Sequence, residues 1–449
     1  MPVQFTPRQV PAAILEWPPA SRYWVAFSGG VDSRVLLESL ATHAGDLPGG
    51  LAAIHVDHGL HPRSGEWARH CGDVCSRLGV PLAQERVEAT PPRGSSPEAW
   101  ARKLRYDAFQ ARVGPGEMLL TAHHLDDQAE TVLLQLVRGG GPAGLAGMPA
   151  LRDFGAGHHG RPLLAFPRAE LQGWAESRRF DWIEDESNAD RRFDRNFLRS
   201  EILPRLITRW PALPSVLART AELQAQAARI LADVAASDLR NCVKGPALDI
   251  DALLRLEPDR RANAVREWLR RAGLPLPGAM QMRLLEEEVI AAGRDRVPCL
   301  RWPGGELRRY RGRLYAGAPG KERDPRDRIR WRLGEPLSLQ HGVLIAETAG
   351  GDGIRAECCS GNEVEVRFRT GGERIRPVGS RHHRELRTLF QERGVPPWVR
   401  DRIPLVYVDG KLAAVPGLWI DSEFSADASV AAWRFRWMES PETAEESPP

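Results

Sequence analysis

A Ser-Gly-Gly-Val-Asp-Ser run at residues 28–33 carries the strongest chemical signal in this chain. It follows an apolar stretch and opens a helix-forming one. Gly29 and Gly30 let backbone N–H groups come close to oxygen anions. The helix start adds free N–H donors and the positive end of a dipole. Ser28 and Ser33 add hydroxyl donors. Asp32 can cap the helix, or hold a Mg2+ ion that bridges phosphates. A phosphate-rich nucleotide is the expected ligand, although a plain capped turn would use the same residue types. The run is not a Walker A loop, because no G-x-x-x-x-G-K-[ST] is present. Asp127 and Glu130 give a second signal, three apart and so on one helix face. Paired carboxylates in a cleft suit a diamine; a solvated helix start would favour them too. Their place beside the nucleotide loop supports the first reading.

These groups need a scaffold that brings them to one rim. Residues 23–27, 51–57, 81–87 and 118–122 read as strands, and 32–40, 66–78, 98–112 and 126–137 as helices between and after them. Such alternation predicts an α/β fold, a parallel sheet with helices on both faces. Ligands of such sheets bind beyond the carboxyl ends of the strands. That sets the loops from Ser28, Asp57 and His123 along one edge. A Gly/Pro-rich break follows at residues 139–149, then irregular sequence to about Pro214, then a long helix over 215–236. We expect a catalytic domain over 1–214, a small, mostly helical domain over 215–316 and a linker region over 317–358. A small α+β domain over 359–438 and a disordered acidic tail over 439–449 complete the expectation.

Net charge is only +3 over 449 residues, so a nucleic-acid surface must come from local clustering. Residues 365–402 hold ten arginines against five acids. Arg381 and Arg384 there, and Arg260 and Arg261 in the helical domain, are the expected phosphate contacts. A solvated arginine-rich face is the alternative. No apolar run reaches transmembrane length, no secretory leader is visible, and six cysteines contain no C-x-x-C pair. A soluble protein of the reducing cytoplasm is the simplest expectation.

The hexapeptide resembles the pyrophosphate loop of the N-type ATP pyrophosphatases. In order after it stand His55-Val56-Asp57-His58-Gly59-Leu60, then Thr121-Ala122-His123-His124-Leu125-Asp126-Asp127-Gln128-Ala129-Glu130-Thr131. Trp182-Ile183-Glu184-Asp185-Glu186-Ser187-Asn188 and Asp194-Arg195-Asn196-Phe197-Leu198-Arg199 follow. This order and spacing resemble the tRNA(Ile)-lysidine synthetases, as do Arg105-Tyr106 and the glycine-rich segment at 139–147. Pro298-Cys299-Leu300 with Arg308-Arg309-Tyr310 is similar to that family's middle module. Phe390-Gln391-Glu392 through Trp398 to Arg400-Asp401 is similar to its C-terminal module. The likeness covers most of residues 20–425.

The resemblance implies an adenine nucleotide alpha-hydrolase-like N-terminal domain. It implies ATP and Mg2+, free lysine, and the isoleucine tRNA with a CAU anticodon. The reaction would pass through an adenylated cytidine and end in lysidine, which changes codon reading from AUG to AUA and aminoacylation from Met to Ile. By the same likeness Ser28, Gly29, Gly30, Val31, Asp32, Ser33, His55, Asp57, His58 and His124 border ATP. Asp32 is the magnesium candidate, Arg105 meets phosphate charge, and Asp127 and Glu130 orient lysine. Arg195 and Arg199 reach tRNA or the target cytidine; an Asp194–arginine ion pair bracing the domain edge is the alternative. Asp57 reads as a wall residue, and His58 reads equally as structural. His123 and His124 compete for one family histidine, and alignment favours His124. Near Arg381-His382-His383-Arg384 the family often carries lysines, so individual contacts there do not transfer. Trp398 and Phe390 read as core before stacking platforms. A homodimer fits the family, but no residue here fixes it. Three rivals fit less well. A tRNA thiolase usually brings C-x-x-C pairs, an amidating ligase leaves the basic C-terminal modules unexplained, and an inactive tRNA-binding protein would not need Asp32, Asp127 and Glu130.

Overall fold

The structure, a computed structural model, describes residues 5–57, 59, 62–87, 97–184, 190–293, 296–319 and 327–439. Two compact units divide at Asp233 and Val234, within the long helix α10 (Leu213–Cys242).

The first unit is built on six strands: β1 (Arg22–Ala26), β2 (Gly50–Asp57), β3 (Leu82–Arg86), β4 (Glu117–Leu120), β5 (Leu151–Phe154) and β6 (Gly157–Gly160). Their order is β3-β2-β1-β4-β6-β5, parallel except where β5 runs against β6. Strand pleating sends alternate residues to opposite faces. Tyr23 and Val25 of β1 therefore join one core, with Val35, Leu36 and Leu40 of α2 (Val31–Thr42) and Cys71 and Val74 of α3 (Ser64–Leu78). Trp24 faces the other way, with Ile54 and Val56, under Phe109 of α4 (Pro97–Arg112) and Val113 just after it. Both faces are covered, as a buried parallel sheet requires. The carboxyl ends of β1, β2 and β4 deliver Ser28, Asp57 and His123 to one rim, in agreement with the expected α/β layout.

Residues 150–214, read as irregular, hold the β5–β6 hairpin, α7 (Arg168–Ser177), α8 (Asp194–Phe197) and α9 (Leu203–Arg209). The Gly-His-His-Gly strand β6 has no apolar alternation to betray it. Its glycines are there for clearance. A Cβ on Gly157 would lie 2.3 Å from the Glu117 carbonyl oxygen, and one on Gly160 2.4 Å from the Trp17 ring.

In the second unit, helices Ile250–Leu254, Pro258–Arg271 and Ala279–Leu284 pack on a five-stranded sheet that spans residues 243–317. The helical module thus also carries strands, which bury Leu300, Leu307 and Leu314 against Val265 and Leu269. The stretch 317–358, expected as a linker, contributes structure instead. Its strand Gly342–Gly350 pairs along nine residues with Ala431–Glu439 and buries Leu344 and Ala346. Strands supplied from both ends of the module make this segment part of its core. Residues 440–449 of the expected tail lie outside the described residues. No helix among the described residues is long and apolar enough to cross a membrane.

Candidate active site

The rim of the first unit encloses a cavity of about 360 Å3 lined by Ser28, Gly30, Asp32, Ser33, His55, Asp57, Arg105, Thr121 and His123. The turn into α2 needs glycine at Gly29, where φ is +84° and a Cβ would meet Ile183 Cδ1 at 2.4 Å. The Ile183 N–H donates to the Gly29 carbonyl at 2.9 Å, so the Trp182-Ile183 segment clamps the loop from outside. Ser33 Oγ donates to the Gly30 carbonyl at 2.9 Å and lies 3.2 Å from Ser28 Oγ. His55 Nδ1 sits 2.9 Å from the Phe27 carbonyl, which makes it the protonated nitrogen and ties β2 to the start of the loop. Burial pushes the His55 pKa down. Asp57 Oδ1 accepts from the Gly59 N–H at 2.9 Å and shapes the wall. His58 lies outside the described residues.

Asp32 stands where the cavity meets α5 (Leu125–Val137). Burial raises its pKa; His124 and Arg168 nearby only partly offset that. Its Oδ1 is buried with no hydrogen-bond partner, and Arg168 Nε is 3.7 Å away. A dry, unsatisfied carboxylate oxygen on a phosphate loop fits a divalent cation.

The two histidines exchange the places expected for them. His124 is 2 % exposed and caps α5: its Nδ1 accepts from the Asp127 N–H at 3.3 Å, while Asp127 Oδ2 accepts from the His124 N–H at 3.1 Å. With Nδ1 accepting, the Nε2 proton points between Asp127 Oδ2 at 3.3 Å and Asp32 Oδ2 at 3.8 Å. His124 therefore links the nucleotide loop to the acidic pair, and it is His123 that lines the cavity. Burial pushes His123 down to about 3.

Asp127 and Glu130 do meet on one face, but they meet arginine. Arg199 Nε is 2.6 Å from Glu130 Oε1, and its NH2 group is 3.0 Å from Asp127 Oδ1. Arg195 Nε is 2.7 Å from Glu130 Oε2, and its NH2 group is 3.2 Å from Asp127 Oδ1. Glu130 is 1 % exposed and Asp127 8 %, whereas the arginine side chains remain about one-third exposed. Burial pushes the Asp127 carboxyl up, yet His124 and Arg195 beside it outweigh that and leave its pKa below the usual range. Arg195 and Arg199, read as reaching tRNA or the target cytidine, are thus engaged by the acidic pair in this structure. Asp194 turns away from them to Arg138, at 3.4 Å.

The basic candidates of the second unit separate by exposure. Arg261 is 11 % exposed, bonded to Glu286 at 3.0 Å and to the Leu256 carbonyl at 3.2 Å, and so braces the module. Arg260 holds Asp238 at 2.5 Å with its side chain half-exposed. Arg384 is paired with Glu392, and Arg381 is exposed. Phe390 is buried beside Trp419 as core, whereas Trp398 is half-buried, edge-on against Tyr310 and Tyr315 with the Arg308 guanidinium over its ring.

Sequence reasoning missed three side chains: Thr121, His159 and Arg161. They form a buried chain of hydrogen bonds to His123. No local signal could have found it, because His159 and Arg161 come from and follow the unread strand β6.

Comparison with known proteins follows from this geometry. Residues 6–206 match the family model described as PP-loop domain, residues 248–315 the TilS substrate binding domain, and residues 364–437 the TilS substrate C-terminal domain. The chain is 43 % identical over 412 residues to a tRNA(Ile)-lysidine synthase of Methylococcus capsulatus, covering 91 % of this chain and 94 % of that one. It is 40 % identical over 431 residues to the Coxiella burnetii synthase, covering 96 % of each. It is 42 % identical over 413 residues to that of Alkalilimnicola ehrlichii, covering 91 % of this chain and 92 % of the relative.

Proposed function

Because the chain belongs to the tRNA(Ile)-lysidine synthase family, an ATP-using ligase family that forms lysidine on tRNA(Ile), we propose how its own residues divide the work. ATP lies in the cavity with its terminal phosphates on the Ser28-to-Ser33 loop. Arg105 faces the phosphate charge from α4. Asp32 is the residue that would hold Mg2+, which would supply positive charge against the leaving pyrophosphate. The C2 oxygen of the wobble cytidine attacks the α-phosphorus and pyrophosphate leaves. The ε-amine of lysine, once it has lost a proton, attacks C2, and AMP leaves.

Asp127, Glu130, Arg195 and Arg199 bring two negative and two positive charges into one cluster. That set matches free lysine: the carboxylates suit its α-ammonium, and the partly exposed guanidiniums suit its carboxylate by bidentate contact. The observation that carries the reading is the Asp32–His124–Asp127 series, with gaps of 3.8 and 3.3 Å, which joins a nucleotide loop to an amino-acid-like charge cluster. Residues 215–316 and the C-terminal module that contains Gly342–Gly350 and Ala431–Glu439 are the tRNA-binding modules, and a cytoplasmic location suits ATP, lysine and tRNA alike.

The test is radiolabelled lysine transfer with ATP, Mg2+ and unmodified isoleucine tRNA(CAU), using elongator methionine tRNA as control. ATP-dependent label in the isoleucine tRNA alone is expected. Pyrophosphate release without label would keep adenylation and remove lysine as the nucleophile.

Exposure also predicts which arginines matter to tRNA. Arg381→Ala is expected to weaken tRNA binding and reduce the salt slope by about one unit, with unchanged thermal stability. Arg261→Ala should do the reverse, costing about 1–3 kcal/mol because Glu286 and a main-chain carbonyl lose their buried donor. Titrating both variants with tRNA at several salt concentrations, beside their melting curves, checks the contrast.

A further inference from the structure

His159 is fully buried in β6, and its Nδ1 accepts from two arginines, Arg161 NH2 at 3.2 Å and Arg152 Nε at 3.3 Å. Guanidinium groups only donate, so the single proton of a neutral His159 must sit on Nε2. That nitrogen is 2.8 Å from Thr121 Oγ1 and donates to it. The Thr121 hydroxyl is buried as well, and its one hydrogen needs an acceptor. His123 Nδ1 lies 2.7 Å away, and among the described residues no other acceptor bonds that oxygen. The hydroxyl therefore donates to His123 Nδ1. His123 is left with its proton on Nε2, on a ring that forms part of the cavity wall and whose Nε2 bonds no described residue. Polarity thus runs one way, from Arg152 and Arg161 through His159 and Thr121 to His123.

We propose that this chain fixes His123 as the Nε2–H tautomer, so that it donates a hydrogen bond to an α-phosphoryl oxygen of ATP during adenylation. The proposal rests on the reading of the cavity as the ATP site. A fixed donor cannot serve the exocyclic amino group of adenine, which itself donates. It suits an oxygen on which negative charge grows as the α-phosphorus is attacked. His123 acts there as a neutral donor and not as an acid, since its burial keeps it unprotonated. Thr121, His159 and Arg161 are positioning residues that act through it.

Two readouts decide the matter. Long-range nitrogen–proton NMR of the histidine-labelled full chain, assigned with H123Q and H159Q, reports each tautomer directly. We expect Nε2–H at both His123 and His159, and a mixed or Nδ1–H state at His123 in T121V, which removes the hydroxyl without changing shape much. Nδ1–H at His123 in the parent chain would overturn the proposal. The second readout is tRNA-dependent pyrophosphate release. H123L should lower kcat roughly 100-fold with little change in KM for ATP, as loss of a transition-state donor does. H123Q, which keeps an N–H donor, should recover at least about tenfold of that loss. Equal rates for the Leu and Gln variants would refute the donor role while an active parent chain leaves the ATP-site reading intact. A parent chain with no pyrophosphate release would instead refute the ATP-site reading itself.

Discussion

Glu130→Gln is expected to stop lysine transfer while the tRNA is still adenylated. Glu130 is 1 % exposed and receives both Arg195 and Arg199, at 2.7 and 2.6 Å. Removing its charge leaves two guanidiniums half-paired in a poorly solvated site, and breaking such buried pairs costs about 3–5 kcal/mol. If that energy is used to position lysine, its transfer should fall by roughly 10²–10³-fold. Pyrophosphate release should fall far less, because Glu130 does not line the nucleotide cavity. Adenylated tRNA would then accumulate and could be seen as labelled AMP on the RNA. A parallel loss of both half-reactions, with a lowered melting temperature, would make Glu130 a structural brace and move lysine recognition elsewhere. Asp127→Asn should behave less cleanly. Asp127 also accepts from the His124 N–H, so that change disturbs the link to Asp32 as well.

Asp32→Asn should act on the other half-reaction, lowering adenylation by about 10³-fold and with it all lysine transfer. The amide keeps the size of the group and removes the charge that would hold Mg2+. Stability should move in the opposite direction from activity. Burial raises the Asp32 pKa, so the folded chain resists ionising this carboxyl at pH values where the unfolded chain has already done so. The charged form is thus a cost to the fold above the unfolded pKa, and the neutral amide relieves it. An unchanged or raised melting temperature beside collapsed activity is the expected pair, the usual signature of a site that gives up stability for function. The pH profile offers a second check. If ionised Asp32 is the active form, the acid limb of adenylation should lie above the ordinary aspartate value of about 3.9. An Asn variant with near-normal rate and unchanged Mg2+ dependence would remove Asp32 from the chemistry.

Much of this protein could be read from the chain alone, wherever the cause is local. The strands and helices expected between residues 23 and 137 lie within a few positions of those found, because apolar periodicity and helix starts are encoded by near neighbours, whereas the helix Gln9–Leu15 was not foreseen. The convergence of Ser28, Asp57 and His123 followed from parallel topology, which forces the strand ends to one rim. The pairing of Asp127 with Glu130 followed from helical spacing. Tertiary structure decided what depends on partners distant in sequence. Two adjacent histidines take opposite roles because one caps α5 and the other is reached by Thr121 and His159 across the sheet. Arg195 and Arg199 belong to carboxylates more than 60 positions away, which no spacing rule could assign. Arg260 and Arg261 look alike in sequence, yet Arg261 is 11 % exposed and Arg260 53 %, because Arg261 turns to Glu286 on another helix. The Gly-His-His-Gly segment becomes a strand by pairing with β4 and β5, and Glu117 and Trp17 lie too close to its two ends for any side chain but hydrogen there. The residue types of the site were therefore legible from the chain, whereas their orientations, protonated nitrogens and ion-pair partners came from contacts that exist only once the chain has folded.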